Sequence, residues 1–409
     1  MSHSIRRGEG ETWSVFRAVA ALLFVFSVLS SAGAGEFNIL KFGATPNDDK
    51  DDTLAIAAAL KACGDAGGGV VRVPAGTFIV ARQASESPIL ELPSQTILRG
   101  EGPVSVLKFD PRVNKSNFWR MLGARKAGCR HVTVCDLRLN GSNTHPRYEK
   151  GQTPEQNHGV FLWSETGVIE DVCLRDLLVE GFSGDGIAVG RGCRNITIRH
   201  VTLRNFLRQG IQLGGDENAR DYLVTGCHDL EHSVEPGGST IHVEHARGLS
   251  RVIISGNRCR QSILAGGVNG LILRDNVVDG RIEANGNYNA IVQGNVVLAR
   301  GSGKKPVLQF GYAAGLVIKD NVIVSASAEQ TGIYVWGSSR YNPEPSRQVL
   351  IADNLLRVRG QPISLNGVHG GLVRDNLIEG SQAKNAVEGK RLEGVELRRS
   401  ERPGEPRLP

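Results

Sequence analysis

The strongest constraint on how this chain can fold is a short alternating strand that recurs through its length. It reads "VTVCDL" (132–137), "VCLRDL" (172–177), "ITIRHV" (196–201), "YLVTGC" (222–227) and "VIISGN" (252–257). Then follow "LILRDN" (271–276), "AIVQGN" (290–295), "LVIKDN" (316–321), "VLIADN" (349–354) and "GLVRDN" (371–376). After Leu177 the copies end 24, 26, 30, 19, 19, 26, 33 and 22 residues apart. A period wandering around the low twenties, with period-two apolar strands inside it, is the signature of a β-solenoid. No apolar stripe at helical spacing runs through the repeats, which excludes a helical solenoid. An abundance of Gly, 51 residues, and a low aromatic content of 5% agree with many short strands and turns. The final position becomes Asn257, Asn276, Asn295, Asn321, Asn354 and Asn376. Asn tolerates the left-handed turn conformation and can hydrogen-bond along a stack, so this column reads as structural.

A second strand follows in most copies: "GVFLW" (159–163), "GIAVG" (186–190), "GIQLG" (210–214), "TIHVE" (240–244), "SILAG" (262–266), "RIEAN" (281–285), "VLQFG" (307–311), "GIYVW" (332–336) and "PISLN" (362–366). Its second and fourth positions, such as Ile187/Val189, Ile211/Leu213, Ile241/Val243 and Ile333/Val335, point inward; positions three and five then point out. The expected fold is all-β, a parallel β-helix solenoid of about ten rungs, with an external stripe on the second strand.

The flanks differ in kind. Arg6, Arg7 and Arg17 precede the apolar stretch 18–30, and Ala32 and Ala34 suit a small-residue cleavage site, so residues 1–34 read as a signal peptide. The protein is then expected to be secreted or periplasmic, with no membrane attachment after cleavage. Residues 35–80 read as an N-terminal cap and first strands: a helix near Asp51, with Ile56, Leu60 and Cys63 on one side, closes the open end that a solenoid must cover. The β-helix domain follows over 81–389, and the charged, Pro-containing segment 390–409 reads as a disordered tail or a short cap strand past the last rung. The seven Cys match no zinc or disulfide framework and read as core. A net charge of +6 suits an acidic partner, whereas basic runs interleaved with stacking aromatics are missing, which excludes nucleic acid as a partner.

The stretch "FGATPNDDKDDTLAIAAALKACGDAGGGVVRVPAGTF" (42–78) resembles the opening of the pectate-lyase-like right-handed parallel β-helix proteins, a group of lyases, polygalacturonase-type hydrolases and uronan epimerases. The resemblance covers roughly 36–380 and implies a right-handed coil, a polysaccharide partner and a monomer. It is specific for fold and weak for reaction. The ordered polygalacturonase set Asn-x-Asp, Asp-Asp, His-Gly, Arg-x-Lys is absent, and so is the Asp-Pro-His-Glu run of alginate epimerases; "IHVEH" (241–245) occupies a comparable place.

Read up the stack, the outward columns gather ionisable groups in the middle of the stripe and aromatics towards its ends. The catalytic candidates are His242, Glu244, Asp185 and Arg208. The substrate-binding candidates are His158, Trp163, Gln209, Gln212, Glu283, Tyr334 and Trp336, with His158, Asp185 and Gln209 read as outward-facing residues just before their strands. Gly190, Gly214, Gly266 and Gly311 leave room for a ligand, and Tyr148, Lys150 and Glu235 on inserted loops are reserves. His242 and Glu244 leave one face about 7 Å apart, as a base beside a carboxylate. His245 should turn the other way.

Three functions compete. β-Elimination or C5-epimerisation of a uronic-acid polysaccharide would use His242 as base and Arg208 to neutralise the substrate carboxylate. Asp185, Glu244 and Glu283 would be ligands for the Ca²⁺ that lyases of the resembled fold often use; no other cofactor is implied. Glycoside hydrolysis would need two carboxylates, and Asp185 and Glu244 on coils two apart approach the upper end of the roughly 6.5–9.5 Å separation of inverting enzymes. A carbohydrate-binding β-helix without turnover would need only the aromatics.

Overall fold

Period-two strands that recur every two dozen residues bury their apolar side only by stacking coil on coil, and the chain does this. In the computed structural model, residues 35–84, 87–110, 112, 119–142, 155–231, 238–300, 303–337 and 343–398 are described. The leader 1–34, the loop candidates Tyr148, Lys150 and Glu235, the side chain of His245 and residues 399–409 lie outside them. Thirty-four strands join in one continuous parallel wrap. Each rung contributes to three faces, and each strand pairs with its counterpart one rung on.

The groove face runs through Arg120–Ala124, His158–Leu162, Ile187–Val189, Gln209–Gly215, Ser239–Ala246 and Ile263–Gly266. It continues through Ile282–Asn285, Leu308–Gly311, Ile333–Trp336 and the start of Ile363–Arg374. The second face holds the recurring strand first seen in the sequence, and the third holds short strands such as Thr202–Arg204 and Val296–Ala299. Ile187, Ile211, Leu213, Ile241, Ile333 and Val335 are fully buried between the faces.

The helix α1 (Thr53–Asp65) starts where Asp51 Oδ1 accepts the Thr53 N–H at 2.9 Å and lays Ile56, Ala59, Leu60 and Cys63 over the end of the core. All seven cysteines are free, and burial pushes thiols such as Cys227 up to about 12.

The Asn column stacks as a ladder. Nδ2 of Asn257 donates to Oδ1 of Asn276 at 2.9 Å, and the pattern repeats through Asn295, Asn321, Asn354 and Asn376 at 2.9–3.0 Å. The second amide hydrogen goes to a backbone carbonyl, as from Asn295 to Leu273, and each Oδ1 also accepts the N–H of the preceding column member. Every amide atom is satisfied, which is what permits these polar groups to be buried. The left-handed residue of the corner is the one before the Asn: Gly256, Asp275, Gly294, Asp320, Asp353 and Asp375 have φ between 53° and 65–68°. Asn is selected here for its amide, not for its turn conformation.

Of the two readings of the C-terminal segment, a disordered tail or a short cap strand, its start has the form of the strand. Val387–Leu397 pairs with Ile363–Arg374, and Val387, Leu392 and Val395 pack on the core. Their spacing was masked in the sequence by the surrounding charges.

Replacing Asn321 by Ala removes the acceptor of the buried Asn295 N–H, one acceptor of the Asn295 Nδ2 and a donor to each of the Val292 and Lys319 carbonyls. It should cost about 3 kcal/mol, read as a lowered urea midpoint with an unchanged m-value.

Candidate functional site

Register along the groove face decides which side chains share a column. Phe161, Ala188, Gln212, His242, Leu264, Glu283, Gln309 and Tyr334 are successive partners, so the outward column read from alternation is a physical file. One irregularity interrupts it. Leu213 pairs with Val243 but Gly215 pairs with Ala246, so Glu244 and His245 together oppose Gly214. Such a bulge bends the strand and re-aims its side chains at the point where Glu244 leaves the sheet.

The residues just before these strands do not face outward. His158, Asp185, Gln209 and Ser239 are all buried, Asp185 completely. They sit where the chain turns the corner into the groove strands. Together they form a second hydrogen-bond ladder. The Asp185 N–H donates to His158 Nδ1 at 2.9 Å, and the Gln209 N–H donates to Asp185 Oδ1 at 3.1 Å. The N–H and hydroxyl of Ser239 donate to Gln209 Oε1 at 2.9 and 2.6 Å. Gln209 therefore holds two rungs together. Because His158 Nδ1 accepts, the ring is neutral and carries its proton on Nε2. Burial, with the guanidinium groups of Arg120 and Arg208, holds its pKa well below the ordinary histidine range.

From this buried ladder the charges lead outward. Asp185 Oδ2 lies 3.8 Å from Arg208 Nη1, and Arg208 Nη2 lies 4.0 Å from Glu244 Oε2. Exposure of the side chains rises along the series, from 0% at Asp185 through 15% at Arg208 to 31% at Glu244. One rung below, Arg120 pairs in register with His158 and places its guanidinium 4.6 Å above the Phe161 ring. Burial, then Arg125 and Arg82, lower Arg120 to about 10. His158, Phe161 and Trp163 stack in sequence, their rings within 10° of parallel and 5.8–5.9 Å apart. His158, Trp163, Arg120, Arg208, Gln212 and Glu244 line a cleft of about 350 Å³.

His242 and Glu283 belong to an adjoining hollow of about 480 Å³, which shares Glu244 with the cleft. Tyr334 and Trp336 stand further along the groove face, with Trp336 edge-on to Tyr312 at 4.5 Å. Glycine serves the tryptophans here. A Cβ on Gly190 would lie 2.1 Å from the Trp163 ring, and one on Gly311 would lie 2.5 Å from the Trp336 ring. The space expected for a ligand at these two glycines is filled by indole.

Comparison with known proteins agrees with this architecture. Residues 36–125 match the family described as rhamnogalacturonase A/epimerase, pectate lyase-like, and residues 185–354 match the right-handed β-helix region. The chain folds as a right-handed parallel β-helix with a pectate-lyase-like opening. Mannuronan C5-epimerase AlgE2 of Azotobacter vinelandii is 27% identical over 234 residues, 53% of this chain and 23% of that protein. The chain thus spans less than a quarter of that relative's length. The A-module of mannuronan C-5 epimerase AlgE6 from the same organism superposes with a TM-score of 0.60 at 16% identity, covering 89% of this chain and 100% of the module. A family 28 exopolygalacturonase of Yersinia enterocolitica gives 0.63 at 15% identity, covering 90% of this chain and 79% of that one.

The expected Ca²⁺ ligands do not form a cation site in this β-helix. Glu283 is engaged by Arg281, by Asn285 Nδ2 at 2.8 Å and by Gln309 Nε2 at 3.3 Å. Asp185 and Glu244 both face Arg208, and Glu283 stands two rungs above the Glu244 strand. Among the described residues no three His, Cys, Asp or Glu side chains are grouped to hold a metal. Arg208, expected to neutralise a substrate carboxylate, stands between Asp185 and Glu244. Arg120 and Arg125 are the site residues that the sequence reading missed. Aligning "RMLGA" (120–124) one rung below "GVFLW" is the signal that finds Arg120.

Beneath the strand bearing His242 and Glu244, Asp229 accepts from the Thr240 hydroxyl and, at 3.2 Å, from the Glu231 N–H. Burial raises its carboxyl to about 6. The native state then binds this proton more tightly than the unfolded chain, so its contribution to stability is present at low pH and lost as pH rises from about 4 to about 6. Urea midpoints of Asp229→Asn should lack this decline. His158 acts in the opposite sense: its depressed pKa makes the fold lose stability as pH falls below about 6.5.

Proposed function

We propose that the protein is an exported enzyme that acts on a uronic-acid-containing polysaccharide by removing the proton beside the sugar carboxylate. The outcome is β-elimination or C5-epimerisation. The observation that carries this reading is the pair of arginines, Arg120 and Arg208, set around the neutral ring of His158 in one cleft. A proton next to a carboxylate becomes removable when the negative charge developing on that carboxylate is stabilised in the transition state. Arg120 and Arg208 supply positive charge to the carboxylate. His158, with Nδ1 committed to the Asp185 amide, offers Nε2–H to the same oxygens, and a neutral imidazole is suited to stabilising an enolate oxygen.

Glu244 is the base in this reading, since it alone of the charged series reaches from Arg208 into solvent-accessible space. The role first assigned to His242 passes to it because His242 lines the neighbouring hollow. The C5 proton moves to Glu244 and its electrons pass into the carboxylate. They then either expel the C4-linked oxygen, which gives an unsaturated uronide, or recapture a proton on the opposite face. Asp185 positions His158 and Arg208 from below and touches no substrate.

This burial also separates the reading from hydrolysis, which needs two carboxylates flanking the scissile bond. Asp185, one of the proposed pair, is fully covered. The mannuronan epimerase relatives support an acidic polymer, and residues 1–34, read as a leader, support a secreted or periplasmic location.

The test is incubation with polymannuronate, polygalacturonate and neutral glycans. Elimination gives ultraviolet absorbance, epimerisation gives solvent deuterium at C5 without absorbance, and hydrolysis gives new reducing ends alone. Arg208→Ala and Glu244→Gln should each lower kcat by roughly 10²–10³-fold. New reducing ends without absorbance or deuterium, or full activity in Arg208→Ala, would overturn the proposal. Because arginine replaces the cation, chelator should leave the rate of the wild-type protein unchanged.

A further inference from the structure

The hollow next to the cleft has chemistry of its own. It shares Glu244 with the cleft and continues along the groove face for two rungs, through Gly266 and Asn285. Its floor is Gly266, Gly267 and Gly286. These glycines differ from those under the tryptophans. A Cβ on Gly286 would meet nothing closer than 3.9 Å, and one on Gly266 nothing closer than 3.3 Å, in each case a backbone atom of the adjacent rung. No indole roofs them. The floor is open to a flat ring.

Two side chains stand on the rim towards the second face. Tyr288 is 56% exposed although it is a large aromatic, and Arg247 is exposed beside the turn at Gly248. Arg120 lies over Phe161 and donates to the Ser87 hydroxyl at 3.3 Å, and four other arginines around the groove are held by carboxylates. Arg125 and Arg191 face Glu165 at 3.9 and 3.6 Å, Arg208 faces Asp185 and Glu244, and Arg281 contacts Glu283. Arg247 makes no ion pair or side-chain hydrogen bond among the described residues. It is a guanidinium with its fork unused at the edge of an uncovered hollow that Tyr288 also lines.

We infer that this hollow is a second sugar subsite, which takes the carboxylate of the uronate next to the reacting residue on Arg247 and the apolar face of its ring against Tyr288. The inference rests on the proposed action on a polyuronate and adds the demand that the substrate be a run of at least two uronates. The geometry suits this. Each rung advances about 4.8 Å, close to the length one pyranose ring occupies in an extended chain. The polymer then lies along the solenoid axis, with one sugar in the Arg208 cleft and its neighbour over Gly266 and Gly286. Guanidinium binds carboxylate through two parallel hydrogen bonds, so the subsite prefers an acidic neighbour over a neutral one.

The experiment measures kcat and KM of the wild-type protein and of Arg247→Ala and Tyr288→Ala on uronate oligomers of graded length. It adds calorimetric binding of the same oligomers at two salt concentrations. Arg247→Ala should raise KM for long oligomers roughly tenfold, the loss of a charge-assisted contact, leave kcat unchanged, and leave the shortest substrate unaffected. Its oligomer binding should also lose part of the salt dependence seen in wild type. Unchanged KM at every length, or an equal loss of kcat on all substrates, would overturn the subsite. Should wild type turn over no uronate, the catalytic reading fails separately. Calorimetry then decides the subsite: binding weakened in Arg247→Ala supports it, and absent or unaltered binding overturns it.

Discussion

Parallel stacking of rung on rung in fixed register is the constraint from which the rest follows. Each strand hydrogen-bonds to the same strand one coil on, so a residue type repeated at one position becomes a continuous column. Inside, the columns are aliphatic and give the core. At one corner the column is Asn, and its amides bond along the stack rather than to water. A slip of one residue would turn every inward Ile and Val outward and break the ladder at the same moment. The two devices enforce one register, and that register sets the groove.

The functional chemistry arises where a second polar ladder replaces an apolar corner. His158, Asp185, Gln209 and Ser239 link four successive groove strands through short contacts that leave His158 neutral. A buried carboxylate needs a compensating charge, and Asp185 has Arg208. Arg208 in turn is steered towards Glu244, so an interior requirement determines where a surface charge stands. The outward-facing charges are thus built on the interior network. This arrangement explains why the site lies at one level of an otherwise repetitive solenoid.

Much of the fold was legible because its signals are periodic. The recurring strand, the Asn column, the inward Ile/Val pairs and the capping helix each depend on local alternation or on neighbours a few residues away. The outward file from Phe161 to Tyr334 followed from the same alternation. Legibility stopped at corners. Whether His158 or Asp185 faces water depends on the hydrogen bonds and arginines that meet them at the turn, which no spacing records. The bulge at Glu244 is one inserted residue, invisible until its partner strand is known. Gly190 and Gly311 look like open floor in the sequence, yet each is the seat of a tryptophan from an adjacent rung. Leu392 and Val395 were hidden among charges, although they pack on the last coil.

The amino-acid sequence by itself determined that this chain would coil into a stack of short strands, with a capped end and a polar stripe along one side. Those properties come from period-two burial and from backbone hydrogen bonding, both of which act between residues whose spacing is written in the chain. Tertiary structure alone decided which polar residues of that stripe are sheltered, which arginine meets which carboxylate, and which hollows stay open. Those outcomes depend on contacts between side chains on neighbouring coils, and their energies are set by burial and by distances that only the completed stack defines.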